Sequence, residues 1–188
     1  MTGLGSIFRI LGAAIALALS LTLALAGASH ARALSDAEKT SLSTTVSDFN
    51  GAIKSANIDR ISQTVPPRIF DLLAKKANIN AAVIRETMTR MLKSTMQEAP
   101  FEDFSMDVEH AAFKETPNGD PYALIPTKVS LNVEGQRFKV STHTLALLDG
   151  ETWYLVRVSE DQQVMLLREA YPNFVAEKFP ESTTETLN

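Results

Sequence analysis

The apolar side chains of this chain change their period at Pro100, and that change limits the fold more than any single motif does. Before it they recur every three or four residues, the spacing of one helix face. After it they alternate, the spacing of one strand face. Helices first and strands second define an α+β domain, not the βαβ alternation of a parallel sheet.

The helical half opens on Ser35 and Glu38, a capping box in which the hydroxyl takes a backbone N–H and the carboxylate reaches back. Leu42, Val46, Phe49 and Ile53 then form one stripe on a helix running to about Ser55. Asn57 to Asp59 breaks it, and a short helix carries Ile58, Ile61 and Val65. Pro66-Pro67 ends that piece and starts the next, with Ile69, Leu72 and Leu73. After Asn78 to Asn80 a longer helix sets Ile84, Met88, Met91, Leu92 and Thr95 on one face. Arg85, Glu86, Arg90 and Lys93 fall mostly outside it.

In the second half, Phe104, Met106, Val108, His110 and Ala112 read as the apolar side of a first strand. Asn118-Gly119 turns the chain into Tyr122–Val133, where Pro126 predicts an edge position or a bulge. Glu134-Gly135 leads to a third strand with Phe138, Val140, Thr142, Thr144 and Ala146, and Asp149-Gly150 to a fourth over 151–158. Four strands joined by Gly-bearing turns predict an antiparallel meander. A closing helix over about 160–171 competes with a fifth strand over 163–168, and residues 180–188 read as a loose tail after one domain over 34–179.

The chain begins with an address. Ile10–Ala26 is an uncharged run rich in Ala and Leu, preceded by Arg9 and followed by two Ala-x-Ala exits, Ala26-Gly27-Ala28 and Ala31-Arg32-Ala33. This is the build of a secretory signal peptide over 1–33, with cleavage after Ala33 preferred over Ala28 and an uncleaved anchor as the competing reading. It predicts a periplasmic or secreted product that is off the membrane once the leader is gone. The remaining chain can bury ~70% of its unfolded surface. It has no cysteine, so no disulfide is available and packing alone must hold it. A net charge of −4 without a long Lys/Arg cluster argues against nucleic acid.

The stretch Phe49–Val65 (FNGAIKSANIDRISQTV) and the segment Leu147–Val158 (LLDGETWYLVRV) resemble the opening helices and the late Trp-bearing hairpin of the NTF2-like, cystatin-like superfamily. The stretch Tyr122–Val158 is also similar to small exported bacterial proteins of unknown role. The resemblance implies a curved four-stranded meander wrapping a long helix. It implies no activity, because that fold serves isomerases, dehydratases, binding modules and assembly partners alike. The acid–Tyr–acid constellation of its ketosteroid-isomerase-type members has no match at positions of this chain.

Four residues stand out as ligand-binding candidates. His110 falls on an apolar strand face, Tyr122 and Arg157 could fix the polar end of a ligand near a concave sheet, and Tyr154 points opposite Trp153. With His143 the only other histidine after the leader, and no Cys, no metal site and no cofactor are expected. Gly-x-Ser-x-Gly elbows and phosphate loops are missing from the sequence, so no catalytic residue is assigned. The reading is an exported, non-enzymatic binding module that engages a protein partner or a small apolar ligand through the curved face of its sheet. An inhibitor or immunity-type protein is one form of it. The alternative is a small-pocket isomerase or lyase with His110 as general base and Tyr154 or Tyr122 as oxyanion donor. A homodimer through Leu145, Leu147, Trp153 and Leu155 is a further expectation.

Mass spectrometry of the protein recovered from outside the cytoplasm should give a chain starting at Leu34. A mass that retains Met1–Ala33 would contradict the leader reading.

Overall fold

The computed structural model describes residues 34–98, 101–133 and 135–187; the leader and its exits lie outside them. Helix α1 (Asp36–Lys54) starts at the expected capping box. Ser35 Oγ accepts from the Glu38 N–H at 3.2 Å, and the Ser35 N–H donates to Glu38 Oε2 at 2.8 Å. Asn57 caps α2 (Ile58–Gln63) by accepting the Arg60 N–H, and Pro67 opens α3 (Pro67–Ala77) at a position where no N–H is needed. Asn78, at φ 53°, turns the chain into α4 (Ala81–Glu98).

The sheet contains β1 (Phe101–Met106), β2 (Ala112–Glu115), β3 (Pro121–Val133), β4 (Gln136–Asp149), β5 (Thr152–Arg157) and β6 (Thr183–Leu187), all pairs antiparallel. The long strands β3 and β4 form its centre. β1 and β2 share the outer edge of β3, and β5 and β6 share the outer edge of β4. Gly119 (φ 83°) and Gly150 (φ 66°) supply the positive φ that two of the turns require. Helix α1 lies close against both β1 and β5, strands on opposite edges, because the sheet curls around it. The molecule is thus α+β, helices followed by a curved antiparallel sheet wrapped on a long helix.

Pro126 explains why the first expected strand is two. The Asp107 N–H donates to Pro126 O at 2.9 Å, so the polar backbone of Pro126 faces the β1/β2 edge. Proline has no N–H to return, and the ladder fails there. Register runs from Met106↔Thr127 directly to Ala112↔Leu124, so Asp107–Ala111 loops out opposite Ile125 and Pro126. Neither expectation for Pro126 holds as stated: β3 is paired on both sides and keeps an unbroken register with β4 through Pro126, and it is the β1/β2 edge that gives way.

Both faces of the central sheet are buried near the Asp149 end. On the concave face Ala123, Ile125, Ala146, Trp153, Leu155 and Met106 pack with Leu42 and Val46 of α1, and Trp153 Nε1 donates to Glu38 O at 3.0 Å. On the convex face Tyr122, Leu124, Leu145, Leu147 and Val156 pack with Ile69 of α3 and with Leu167 of helix α5 (Asp161–Ala170). The four side chains expected to form a dimer patch are therefore divided between two faces and covered within the chain.

Of the two readings left open for residues 163–168 the helix is the one that forms, within α5. Two further expectations change. The tail expected to be loose is ordered, because Thr183–Leu187 pairs with Arg137–Ser141 as β6. Of the face expected on α4, Leu92 reaches the core and Ile84 is half-buried, while Met88, Met91 and Thr95 stay exposed. The helix packs through Leu92 and Met96 on Ile53 and Ile61, with the Arg85 guanidinium 4.0 Å over the Phe70 ring, and it has no buried residue.

Leu42→Ala, at a fully buried position against the concave face, should cost about 2–5 kcal/mol in denaturant unfolding. A loss below about 0.5 kcal/mol, the range of surface changes, would contradict this packing.

Candidate functional site

Two places merit description as sites: a polar cleft at the Asp149 end of the sheet and the apolar concave face at the other end. The cleft, about 470 Å³, lies between the β3 and β4 termini, the start of α3 and the segment after α5. Asp149 is its centre. One carboxylate oxygen accepts from an Arg68 nitrogen at 2.8 Å and the other from the Tyr171 hydroxyl at 2.9 Å, with the guanidinium 5.0 Å over the Tyr171 ring. Across the cleft Asp120 accepts from Asn173 Nδ2 at 2.6 Å and from Thr116 Oγ1 at 3.2 Å. Burial first, and then the hydrogen bond to Asp149, raise the Tyr171 pKa well above the usual phenol range.

These groups satisfy one another. Arg68 joins α3 to the sheet, Tyr171 joins the end of α5 to it, and Asn173 joins the short 3₁₀ turn Pro172–Phe174 to it. The cleft holds a lattice of structural pairs. Among the described residues no cluster of three His, Cys, Asp or Glu side chains could hold a metal.

The four residues singled out in the sequence do not converge. Tyr122 is fully buried; its ring packs edge-on against Phe174 at 5.3 Å and its hydroxyl donates to Glu177. Burial and then the Glu177 carboxylate raise its pKa as well. Tyr154 follows Tyr122 and Leu147 in one cross-strand row of the convex face, half-buried against the core. Arg157 is exposed, donating from Nε to Ser159 Oγ at 2.5 Å and pairing with Glu160 at 3.4 Å. His110 is not on a strand. It sits in the loop that Pro126 forces out, its side chain 77% exposed, with Nδ1 2.9 Å from Asp107 Oδ2. His110 thus stands in solvent, and the Tyr122 hydroxyl is engaged by Glu177. The base-and-oxyanion pair imagined for them is not assembled.

Binding through the curved face is an expectation of the sequence, but none of the residues at its far end is singled out there. Beyond a belt of hydroxyls, Thr127 Oγ1 to Thr144 Oγ1 at 2.8 Å and Ser182 Oγ to Thr142 Oγ1 at 2.7 Å, the register sets two apolar rows. They are Phe104–Val129–Val140 and Phe101–Leu131–Phe138, each closed by a β6 threonine, Thr184 or Thr186. Val129, Leu131, Phe138 and Val140 are only half-buried, and the buried clusters of the core stop short of them. Their alternation is plain in the sequence. What the sequence withholds is how far the cover reaches: Phe104 meets Phe49 of α1 at 5.7 Å and Phe101 and Phe104 pack on the Ile53–Ile61 cluster, while across β3 and β4 the cover is only partial.

No protein-family model matches the chain, and no curated protein or solved structure matches it either.

The two buried phenols make stability depend on alkaline pH. Their pKa is raised on folding, so the unfolded chain loses these protons first, at about pH 10. The stability they supply is complete below that pH and is lost as pH rises through it toward the folded values. Melting temperature should therefore hold from neutral pH to about 9 and fall above about 10. Tyr122→Phe/Tyr171→Phe should melt lower at neutral pH and show a shallower alkaline fall; parallel pH curves for the two proteins would contradict the assignment.

Proposed function

We propose that this chain is an exported, non-enzymatic binding module of the NTF2-like type that takes a protein partner at the open end of its curved sheet. The observation that carries the reading is the pair of half-buried apolar rows beyond the hydroxyl belt. A partly covered apolar face of this kind is what an interface core presents before its partner arrives. Export is supported by the leader pattern of residues 1–33, and no helix of the described residues is long and apolar enough to cross a membrane. Kinship with the NTF2-like, cystatin-like cone is supported by the order of elements and by a sheet curled on α1.

A protein suits this face better than a small apolar ligand. Small ligands favour enclosed, mostly apolar cavities. The apolar core beneath the near half is filled by Leu42, Val46 and Trp153, and the cleft at Asp149 is lined by charged and amide groups. An enzyme finds less support still, with His110 in solvent and Tyr122 engaged by Glu177.

A photo-crosslinking amino acid at Phe138, in the chain expressed in its own cells, should trap a protein adduct. The same amino acid at Met165, exposed on α5, should not. Val140→Asp should abolish the Phe138 adduct without loss of fold. Equal adducts from both positions, or none from Phe138, would overturn the reading.

A further inference from the structure

The dipeptide Asn-Gly occurs twice, at Asn50-Gly51 and at Asn118-Gly119, and the fold puts the two in opposite situations. Asparagine before glycine is the pair best able to react with itself. Glycine has no Cβ, so its nitrogen can reach the preceding side-chain amide carbon, and its backbone turns freely enough to close the ring. Asn50-Gly51 lies inside α1, where the Gly51 N–H belongs to the helical ladder and Gly51 O accepts the Ser55 N–H at 3.0 Å. Asn50 is half-buried with its Oδ1 enclosed, on the stretch that Val46 and Ile53 fasten to the core. Ring closure there requires α1 to unwind from the sheet.

Asn118-Gly119 is the turn between β2 and β3. Asn118 is exposed at the rim of the Asp149 cleft, and among the described residues nothing bonds its amide. Gly119 sits at φ 83°, and its N–H is held by a single bond, to Thr116 O at 2.8 Å. Thr116 is the buried anchor of the turn. Its N–H donates to Asp120 O at 2.9 Å and its Oγ1 accepts the Asp120 N–H at 3.2 Å. Freeing the Gly119 nitrogen therefore breaks one exposed turn bond, a local opening of low cost. Asp149-Gly150 has the slower acid form of the same closure open to it, yet both its carboxylate oxygens are held, by Arg68 and by Tyr171.

We infer that Asn118 is a site of spontaneous deamidation in the folded protein, and that the fold protects Asn50. The Gly119 nitrogen bonds to Asn118 Cγ, and the side-chain nitrogen takes up the Gly119 proton and leaves as ammonia, so that a succinimide remains. Water, the sole co-reactant, then opens the ring at either carbonyl. Attack on the side-chain carbonyl gives aspartate. Attack on the main-chain carbonyl gives isoaspartate, in which the backbone runs through the former side chain and is longer by one methylene. Either product adds a carboxylate to a cleft rim that already holds Asp120 and Asp149. The isoaspartyl form also falls between Thr116 and Asp120. The bonds joining those two residues lose their spacing, and with them the Asp120–Asn173 bond of 2.6 Å that ties the 3₁₀ turn to the sheet. Time, not a ligand, triggers this loosening, and it is independent of what binds at the open end of the sheet.

The test is to age the purified full chain in mildly alkaline buffer and map its peptides by mass spectrometry at intervals. Asn118 should gain about 1 Da at least about tenfold faster than Asn50. In urea, where neither turn nor helix remains, the two sites should convert within about threefold of each other. Labelling by an isoaspartyl methyltransferase should grow with the Asn118 product, and the amides of Thr116 and Asp120 should exchange faster in aged chain than in fresh. Thr116→Val removes the hydroxyl that holds Asp120, so it should speed Asn118 at least about threefold while Asn50 stays protected. Thr116→Ser, which keeps the hydroxyl, should retain the original rate. Equal native rates at Asn118 and Asn50 would overturn the proposal. So would an Asn118 that stays intact in the folded chain while the urea-unfolded chain converts, or a Thr116→Val chain in which both sites speed up together.

Discussion

Two short runs of backbone, Tyr122–Ile125 in β3 and Leu145–Leu147 in β4, are buried on both faces at once, and the remaining elements are arranged by what they add to those faces. Helix α1 covers the concave side, while α3, α5 and the 3₁₀ turn cover the convex one. The strands there read as a continuous apolar run, as strands covered on both sides do. Each fully buried Leu or Ile contributes about 1.5–3 kcal/mol, and a chain without cysteine has no covalent substitute. Polar side chains near this core act as fasteners. Arg168 donates to the Glu177 carbonyl at 2.7 Å and, more weakly, to that of Phe174 at 3.4 Å, and the Leu155 N–H reaches Thr64 O at 2.8 Å.

Pro126 divides the sheet into two regimes. On its Asp149 side the strands are sandwiched between layers; on its other side the same strands carry Val129, Leu131, Phe138 and Val140 with only partial cover. A missing N–H facing the β1/β2 edge also throws out the loop that takes His110 into solvent. One residue thus accounts both for the loss of the histidine as a candidate and for the point at which the edge partner of β3 changes.

Local chemistry was legible in the sequence. The Ser35/Glu38 box, the Pro66-Pro67 junction, the Asn118-Gly119 and Asp149-Gly150 turns and the change of period at Pro100 each depend on neighbours within a few residues, and each forms where the pattern places it. The long-range polar pairs were not legible. Arg68 meets Asp149, Asp120 meets Asn173 and Tyr122 meets Glu177 only after the sheet and the segment behind α5 are in place. Periodicity also misled at α4. Its methionine stripe has helical spacing, but which stripe faces the core is decided by Arg85 stacking on Phe70 and by Leu92 and Met96 reaching the α1–α2 cluster. The β6 threonines looked like tail because an exposed edge strand has no apolar face to reveal it.

Amide hydrogen exchange of the native chain, resolved by residue, tests this arrangement most directly. Stability should be greatest where both faces are covered, so the amides of Tyr122–Ile125 and Leu145–Leu147 should exchange slowest, near the rate set by global unfolding, while those of α4 exchange through local opening at much lower cost. Protection of α4 equal to that of the two central strands, or loss of protection in β3 and β4 ahead of the helices, would contradict the claim that the doubly covered strands hold the fold together.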